Sequence, residues 1–317
     1  MTITILDGFT LNPGDLSWDS WENYGELRIY DRTSPSELIQ RAKDSEVLIT
    51  NKVVIDASTI EELPKLKYIG VLATGYNVVD TEAAAKKGIV VTNIPAYSTM
   101  SVAQHVFALL LSVTDHAEHY ATEVANGKWS HSKDFCFRDT QLIELAGKRF
   151  GIIGFGNIGS AVANIALAFG MEVAVYTSKD ESQLPVDIKK VSLEELFHSS
   201  DIISLHCPLT ESTRNIINSH TIEKMKDGVI LINTGRGPLV DEQAVANALH
   251  SGKIFAFCAD VLSSEPPSAS NPLLHAPNTF ITPHIAWATK EARIRLMDTA
   301  IENLRQYLSG NPINKVN

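Results

Sequence analysis

Short apolar runs alternate with amphipathic stretches along the chain. In the first hundred residues, 3–6, 47–49, 68–72 and 89–91 are apolar runs of strand length. Between them lie helical signals. Ser34-Pro35-Ser36-Glu37-Leu38 offers a capping residue, a proline near the first helical position and an early acid. Residues 81–87 read as a turn or two of helix stopped by Gly88. Alternating units of this length predict a parallel sheet covered by helices. After a loop over 129–140, the pattern resumes. Strands are predicted at 149–153, 173–176, 202–205, 229–232, 255–258 and 280–282. Helices are predicted at 157–169, 193–197, 219–225, 241–249 and, amphipathic, at 287–308.

At 317 residues the chain suits about two domains at roughly 150 residues each. There is no strict repeat, low-complexity tract or Gly/Ser linker. The longest apolar stretch, 102–113, is broken by Gln104, His105 and Ser112, so a buried interface helix is expected there rather than a membrane span. The first residues have no basic segment followed by a long apolar one, so no secretory leader is expected. The 27 Lys and Arg against 37 Asp and Glu leave a net charge of −10. No basic cluster interrupts it, which argues against nucleic-acid binding. Cys136, Cys207 and Cys258 make neither a metal spacing nor a disulfide framework, which fits a reducing cytoplasm and no metal.

Composition is thus permissive, and the chemistry lies in motifs. Gly154-Phe155-Gly156-Asn157-Ile158-Gly159 follows one predicted strand and opens a helix that leads to the next. That context makes it a dinucleotide-binding turn. The first glycine permits the turn, the second lets a pyrophosphate approach, and the third packs helix on strand. The amides at the helix start, from Asn157 and Ile158, would face the phosphates. The next strand should end in an acid for the ribose hydroxyls. Here Thr177, Ser178 and Lys179 follow Tyr176, and Asp180 comes late. Without that acid, the 2′-phosphate of NADP is at least tolerated, so NAD or NADP is expected.

Three further residues lie on loops after predicted strands. Arg236 stands between Gly235 and Gly237 in Asn233-Thr234-Gly235-Arg236-Gly237. Its planar fork suits a carboxylate. Glu265 precedes two prolines, and His284 follows Pro283 near a strand end. Each alone is unremarkable. Together they converge on the carboxyl end of one sheet, where open α/β sheets bind their ligands.

The ordered set of motifs resembles the D-isomer-specific 2-hydroxyacid dehydrogenases over nearly the whole chain. It comprises Ala73-Thr74-Gly75-Tyr76-Asn77-Val78-Val79-Asp80, Ser101-Val102-Ala103-Gln104-His105, the glycine turn and His206-Cys207-Pro208-Leu209-Thr210. It continues through 233–241, Asp260-Val261, Glu265-Pro266 and Pro283-His284. Phe135-Cys136-Phe137, Ser264-Glu265-Pro266-Pro267 and His284-Ile285-Ala286-Trp287 point to the glycerate dehydrogenase (hydroxypyruvate reductase) branch.

The resemblance implies an α/β fold of two Rossmann/flavodoxin-like, doubly wound parallel-sheet domains with a cleft between them. The substrate domain would comprise residues 1–98 plus 287–317, and the dinucleotide domain residues 99–286. Arg236 would bind the carboxylate and carbonyl of a 2-oxo acid. His284 would be the general acid for reduction, hydrogen-bonded by Glu265. Thr74 and Gly75 would grip the carboxylate. Asp260 would contact the nicotinamide carboxamide, while Cys207, Pro208, Thr234 and Gly235 would line the cofactor. A homodimer would form through the helix from Ser101 and the arm through Trp129 and Phe137. Hydride arriving at a carbonyl carbon builds negative charge on oxygen, which a positioned imidazolium can protonate. A carboxylate beside that ring favours its charged form.

Two departures from the family stand out. Gln104 replaces a common Glu, and Thr177 replaces the usual Asp. A corepressor-like nucleotide sensor of the same fold remains an alternative, because fold alone does not decide function. So does a dehydrogenase of another D-2-hydroxy acid, such as 3-phosphoglycerate or D-lactate.

Overall fold

The apolar runs become strands of two all-parallel sheets in a computed structural model that describes all 317 residues. The chain divides into two compact units. Unit 1 is Met1–Ser98 with Ala288–Asn317, and unit 2 is Thr99–Trp287.

Unit 1 runs β1 (Thr2–Ile5), α1 (Asp19–Glu22), β2 (Glu26–Ile29), α2 (Pro35–Ala42), β3 (Val47–Thr50), α3 (Ala57–Glu61), β4 (Tyr68–Val71), α4 (Thr81–Lys86) and β5 (Val90–Thr92). Its sheet order is β2-β1-β3-β4-β5. Helix α2 starts as its sequence dictates, with Ser34 and Glu37 forming a reciprocal capping box and Pro35 in the first turn. One sheet face carries Leu48, Ile69, Val71 and Val91 against Leu38, Ile60 and Ala84 of the three helices α2, α3 and α4. Side chains alternate along a strand, so Tyr68 faces the other way. There it meets Tyr307 of the C-terminal helix Lys290–Leu308, ring centroids 4.8 Å apart. That helix begins later than residue 287, because the Thr289 hydroxyl caps it by accepting from the Ala292 amide. Beyond it, Val316 and Asn317 bond to β5 and cover the sheet's free edge.

Unit 2 runs α5 (Thr99–Thr114), α6 (Ala117–Ala125), β6 (Arg149–Ile153), α7 (Asn157–Ala168), β7 (Glu172–Tyr176), β8 (Ile188–Lys190), α8 (Leu193–Ser199), β9 (Ile202–Leu205), α9 (Ser219–Glu223), β10 (Val229–Asn233), α10 (Glu242–Ser251), β11 (Ile254–Ala259) and β12 (Thr279–Ile281). Its sheet order is β12-β11-β10-β9-β6-β7-β8. The order reverses between β6 and β9, so loops leave those neighbouring strands in opposite directions and open a crevice. The apolar helix α5 packs as a core element of its own unit. Val106, Phe107, Leu110 and Val113 are buried among Phe150, Val162 and Ala166 of β6 and α7.

The elements that escape sequence inspection are β2, β8, α1, α3 and α6. Strand β2 (Glu-Leu-Arg-Ile) lies at a sheet edge with no residue fully buried, so it carries no apolar run. Helix α6 buries none of its residues.

Candidate active site

The glycine turn sits at the reversal point of the unit 2 sheet, and its three glycines are there for three different reasons. Gly154 has φ +98°, and a Cβ on it would lie 2.5 Å from the Cys207 amide nitrogen, so the turn presses on the end of β9. A Cβ on Gly159 would lie 2.2 Å from the Gly154 carbonyl oxygen, which locks α7 to its strand. A Cβ on Gly156 would meet nothing within 4 Å. Gly156 is the N-cap of α7, no side chain caps that helix, and its first turn has no acid. The Asn157 and Ile158 amides therefore stand at an uncapped, positively polarised helix start.

A second feature points into the same crevice. Thr234 leaves β10 with its hydroxyl Oγ1 buried and without a partner. Buried hydroxyls are nearly always bonded, so this one is open to a partner from outside the chain, a water or a ligand. An uncapped helix start, an open face at Gly156 and an orphan hydroxyl on the adjoining loop suit a dinucleotide. Cys207 is half-buried just after β9, where burial pushes its thiol pKa up, so the thiol is neutral at pH 7. Pro208 beside it is exposed. His206 bonds Ser204 Oγ through Nε2 at 2.8 Å, and burial pulls its imidazolium pKa down to about 4, so the ring is neutral at pH 7.

The Arg236 loop is shaped by Asn233, a residue not singled out in the sequence. The buried Asn233 side chain accepts from the Gly235 amide at 3.1 Å and donates to the Arg236 carbonyl at 2.9 Å. Arg236 is extended and exposed, with Nη1 on the Gly235 carbonyl. The rest of the fork has no partner from the protein. A Cβ on Gly237 would collide with the Leu262 carbonyl carbon at 1.9 Å. Only glycine lets the Arg236 loop close on the loop that carries Glu265.

Glu265 and His284 meet directly. Glu265 Oε2 accepts from His284 Nδ1 at 2.6 Å, and Oε1 accepts from the Leu262 amide at 3.2 Å. A carboxylate only accepts, so Nδ1 carries a proton and Nε2 is the ring nitrogen that exchanges one. His284 has φ +55°, a costly backbone for a non-glycine residue. Its surroundings hold it there: the Trp287 indole Nε1 donates to the His284 carbonyl, and the His284 amide donates to the Thr282 carbonyl.

Asp260 supplies the remaining restraint. Its side chain is 1% exposed. Oδ1 accepts from the Ile285 amide and the Thr282 hydroxyl, and Oδ2 from the Ala286 amide. The carboxylate therefore clamps the loop around His284. The Thr282 hydroxyl spends its one proton on Asp260, so the His105 Nε2 that lies 2.9 Å from it must be the donor. His105 and Thr282 carry no sequence signal of these roles, since each acts through a residue far along the chain; Asn233 and Trp287 bond within three positions, in loops whose shape the sequence does not give.

At the end of β7, Thr177 Oγ1 accepts from the Lys179 amide at 3.2 Å, and Ser178 is exposed. In unit 1, Thr74 and Gly75 follow β4. The Thr74 hydroxyl donates to the Ile94 carbonyl and its carbonyl accepts from Asn93, while neither the Thr74 nor the Gly75 amide has an acceptor. Such a pair of free amides can receive a carboxylate.

A doubly wound sheet with a dinucleotide-type turn, beside an Arg and a carboxylate-bound imidazole, defines a nicotinamide-dependent oxidoreductase. Residues 107–286 match the profile of the D-isomer specific 2-hydroxyacid dehydrogenase, NAD binding domain. The chain is 50% identical over 321 aligned positions to the hydroxypyruvate reductase of Blautia hydrogenotrophica, covering 100% of both. It is 41% identical to the glycerate dehydrogenase of Methylorubrum extorquens, covering 92% of each. Among solved structures, an acyclic imino acid reductase in complex with NADPH and D-Arg superposes with a TM-score of 0.86 at 32% identity, covering 100% of both chains. The chain belongs to the D-isomer-specific 2-hydroxyacid dehydrogenase family. It is an NAD(P)-dependent enzyme.

Proposed function

We propose that the protein reduces hydroxypyruvate, and glyoxylate alongside it, to D-glycerate and glycolate, and catalyses the reverse oxidations. The observation that carries this reading is the 2.6 Å bond from His284 Nδ1 to Glu265. It leaves Nε2 as a proton donor for a carbonyl becoming an alcohol. The full-length relatedness to proteins named for these reactions supports the choice of acid.

The nicotinamide supplies or removes the hydride when bound. The residues of the chain do the rest. Gly156, Asn157 and Ile158 present amides to the pyrophosphate; Thr234 Oγ1, Gly235, Cys207 and Pro208 line the dinucleotide. Arg236 holds the substrate carboxylate with its two-pronged fork, and in unit 1 the free Thr74 and Gly75 amides are themselves suited to a carboxylate. His284 Nε2 delivers the proton to the carbonyl oxygen in reduction and takes it back in oxidation. Glu265 orients the ring through Nδ1. Asp260 acts as the clamp of that loop.

The assembly is a homodimer through unit 2 in this reading. The segment after α5 exposes apolar surface at Val124, Trp129, Phe135 and Leu142, with Phe135 90% exposed. Exposure of that kind suits a partner surface. No helix is long and apolar enough to cross a membrane. All three cysteines are free, which supports a reducing cytoplasm.

The test is initial rates with hydroxypyruvate, glyoxylate and pyruvate, each with NADH and NADPH, and chiral analysis of the product. Fastest turnover of hydroxypyruvate to the D-isomer is expected. Dinucleotide binding without turnover of any 2-oxo acid would make the protein a nucleotide sensor instead.

A further inference from the structure

The end of β7 is where a doubly wound sheet meets the adenosine ribose, and an acid there would repel a 2′-phosphate. Thr177 occupies that place. The nearest acid along the chain, Asp180, is turned away. Its carboxylate caps the single turn Glu181–Gln183, and Gln183 returns a bond to the Asp180 amide at 3.0 Å.

Two ammonium groups gather in its stead. Lys190 ends β8, the strand paired with β7, where it stands in register with Val175. Its Nζ crosses to the β7 loop and donates to the Lys179 carbonyl at 2.5 Å. The Lys179 ammonium lies 5.4 Å from the ring centroid of Phe155, inside the glycine turn. Neither ammonium is paired with a carboxylate, whereas the neighbouring Lys189 is tied to Glu195 at 3.1 Å. Two unpaired cations beside a threonine and a serine hydroxyl, in a chain of net charge −10, are a local seat for an anion.

We propose that Lys190, from the adjacent strand, and Lys179 together bind the 2′-phosphate of the cofactor, so that the enzyme prefers NADPH to NADH. The inference rests on the dinucleotide reading of unit 2. Lys190 retains two N–H donors after its bond to the Lys179 carbonyl, and that same bond holds the loop bearing Lys179 and Ser178 in place.

Adenosine 2′,5′-bisphosphate and 5′-AMP differ only in the 2′-phosphate, so they isolate this contact without catalysis. Calorimetric titration of the wild type should show the bisphosphate binding at least about tenfold more tightly, an advantage that shrinks as salt rises. Lys190→Met should cut that advantage roughly tenfold and Lys190→Arg should keep most of it, a charged hydrogen bond being worth about that much. The NADPH/NADH ratio of kcat/KM should fall in parallel. Lys189→Met is the control and should leave both ratios where they are. A wild type that favours 5′-AMP, or a Lys190→Met protein with an unchanged ratio, overturns the proposal while leaving the dinucleotide reading intact. Failure of both nucleotides to bind folded wild-type protein would overturn that reading too.

Discussion

Arg236 is held by its backbone, and of its fork only Nη1 is bonded within the protein. Asn233 fixes the carbonyl and the preceding amide, so the loop does not depend on the charge of the side chain. Arg236→Lys should therefore fold normally yet lose most activity, because an ammonium keeps the charge but not the planar fork. Steady-state kinetics should show kcat/KM for hydroxypyruvate falling at least about a hundredfold, near 3 kcal/mol of lost stabilisation. A near wild-type value would remove Arg236 from the substrate. His206 has a different consequence. Its folded pKa is about 4, below the unfolded value of about 6.5, so the unfolded chain takes up the proton first as pH falls. Stability is undiminished above about pH 6.5 and declines toward pH 4, by up to ~3 kcal/mol at 1.36 kcal/mol per pH unit. Denaturant unfolding from pH 7 to 4 should show that decline in the wild type and a shallower one in His206→Gln. Parallel curves would mean that His206 titrates as an ordinary surface histidine.

Each unit uses one buried aspartate to hold a loop at the carboxyl end of its sheet. In unit 1, Asp7 after β1 accepts from the amides of Asn51, Lys52 and Val53 after β3. In unit 2, Asp260 after β11 does the same for Ile285 and Ala286 after β12. Parallel strands end on the same side of a sheet, so an acid on one strand's exit reaches the amides on the next. Asp260→Ala leaves two amides and a hydroxyl without their acceptor, and unmet groups cost about 1–3 kcal/mol each. Unit 2 should lose about 3 kcal/mol in denaturant unfolding. Reduction should slow more than tenfold as His284 leaves its strained backbone. A variant of wild-type stability that had lost only cofactor affinity would make Asp260 a cofactor contact and not a clamp.

The whole molecule joins its ends. Unit 1 is built from both termini, and its C-terminal helix buries Leu296, Ala300 and Leu304 at the spacing of one helix face. Arg293 on that helix forms a two-pronged ion pair with Asp15, both bonds 2.7 Å, and Asn303 donates to the Asn93 carbonyl. Unit 2 lies between these parts in sequence and has its own cores. Removing residues 288–317 should unfold unit 1 and leave unit 2 able to bind dinucleotide. Calorimetry of the shortened chain should retain a single unfolding transition that NADH raises. Loss of every transition would show that unit 2 requires unit 1 to fold.

Most of the alternating strands and helices, the glycine turn and the candidates Arg236, Glu265 and His284 were written in the sequence. Periodicity, capping and turn chemistry act between residues a few positions apart, so a linear pattern carries them. The edge strands β2 and β8 were not legible, since a strand half in water has little apolar pattern to show. The missing acid at Thr177 was visible, but not the ammonium that reaches the loop from β8. The family resemblance implied the Glu265–His284 bond, and the tertiary structure supplied its geometry; only the tertiary structure decided that Gly237 closes the Arg236 loop on Leu262 and that Asp260 clamps a loop. The reason is sheet order. These partners lie on exits of strands that become neighbours only when β10, β11 and β12 pair, and spacing along the chain does not record which side chains that pairing brings within 3 Å.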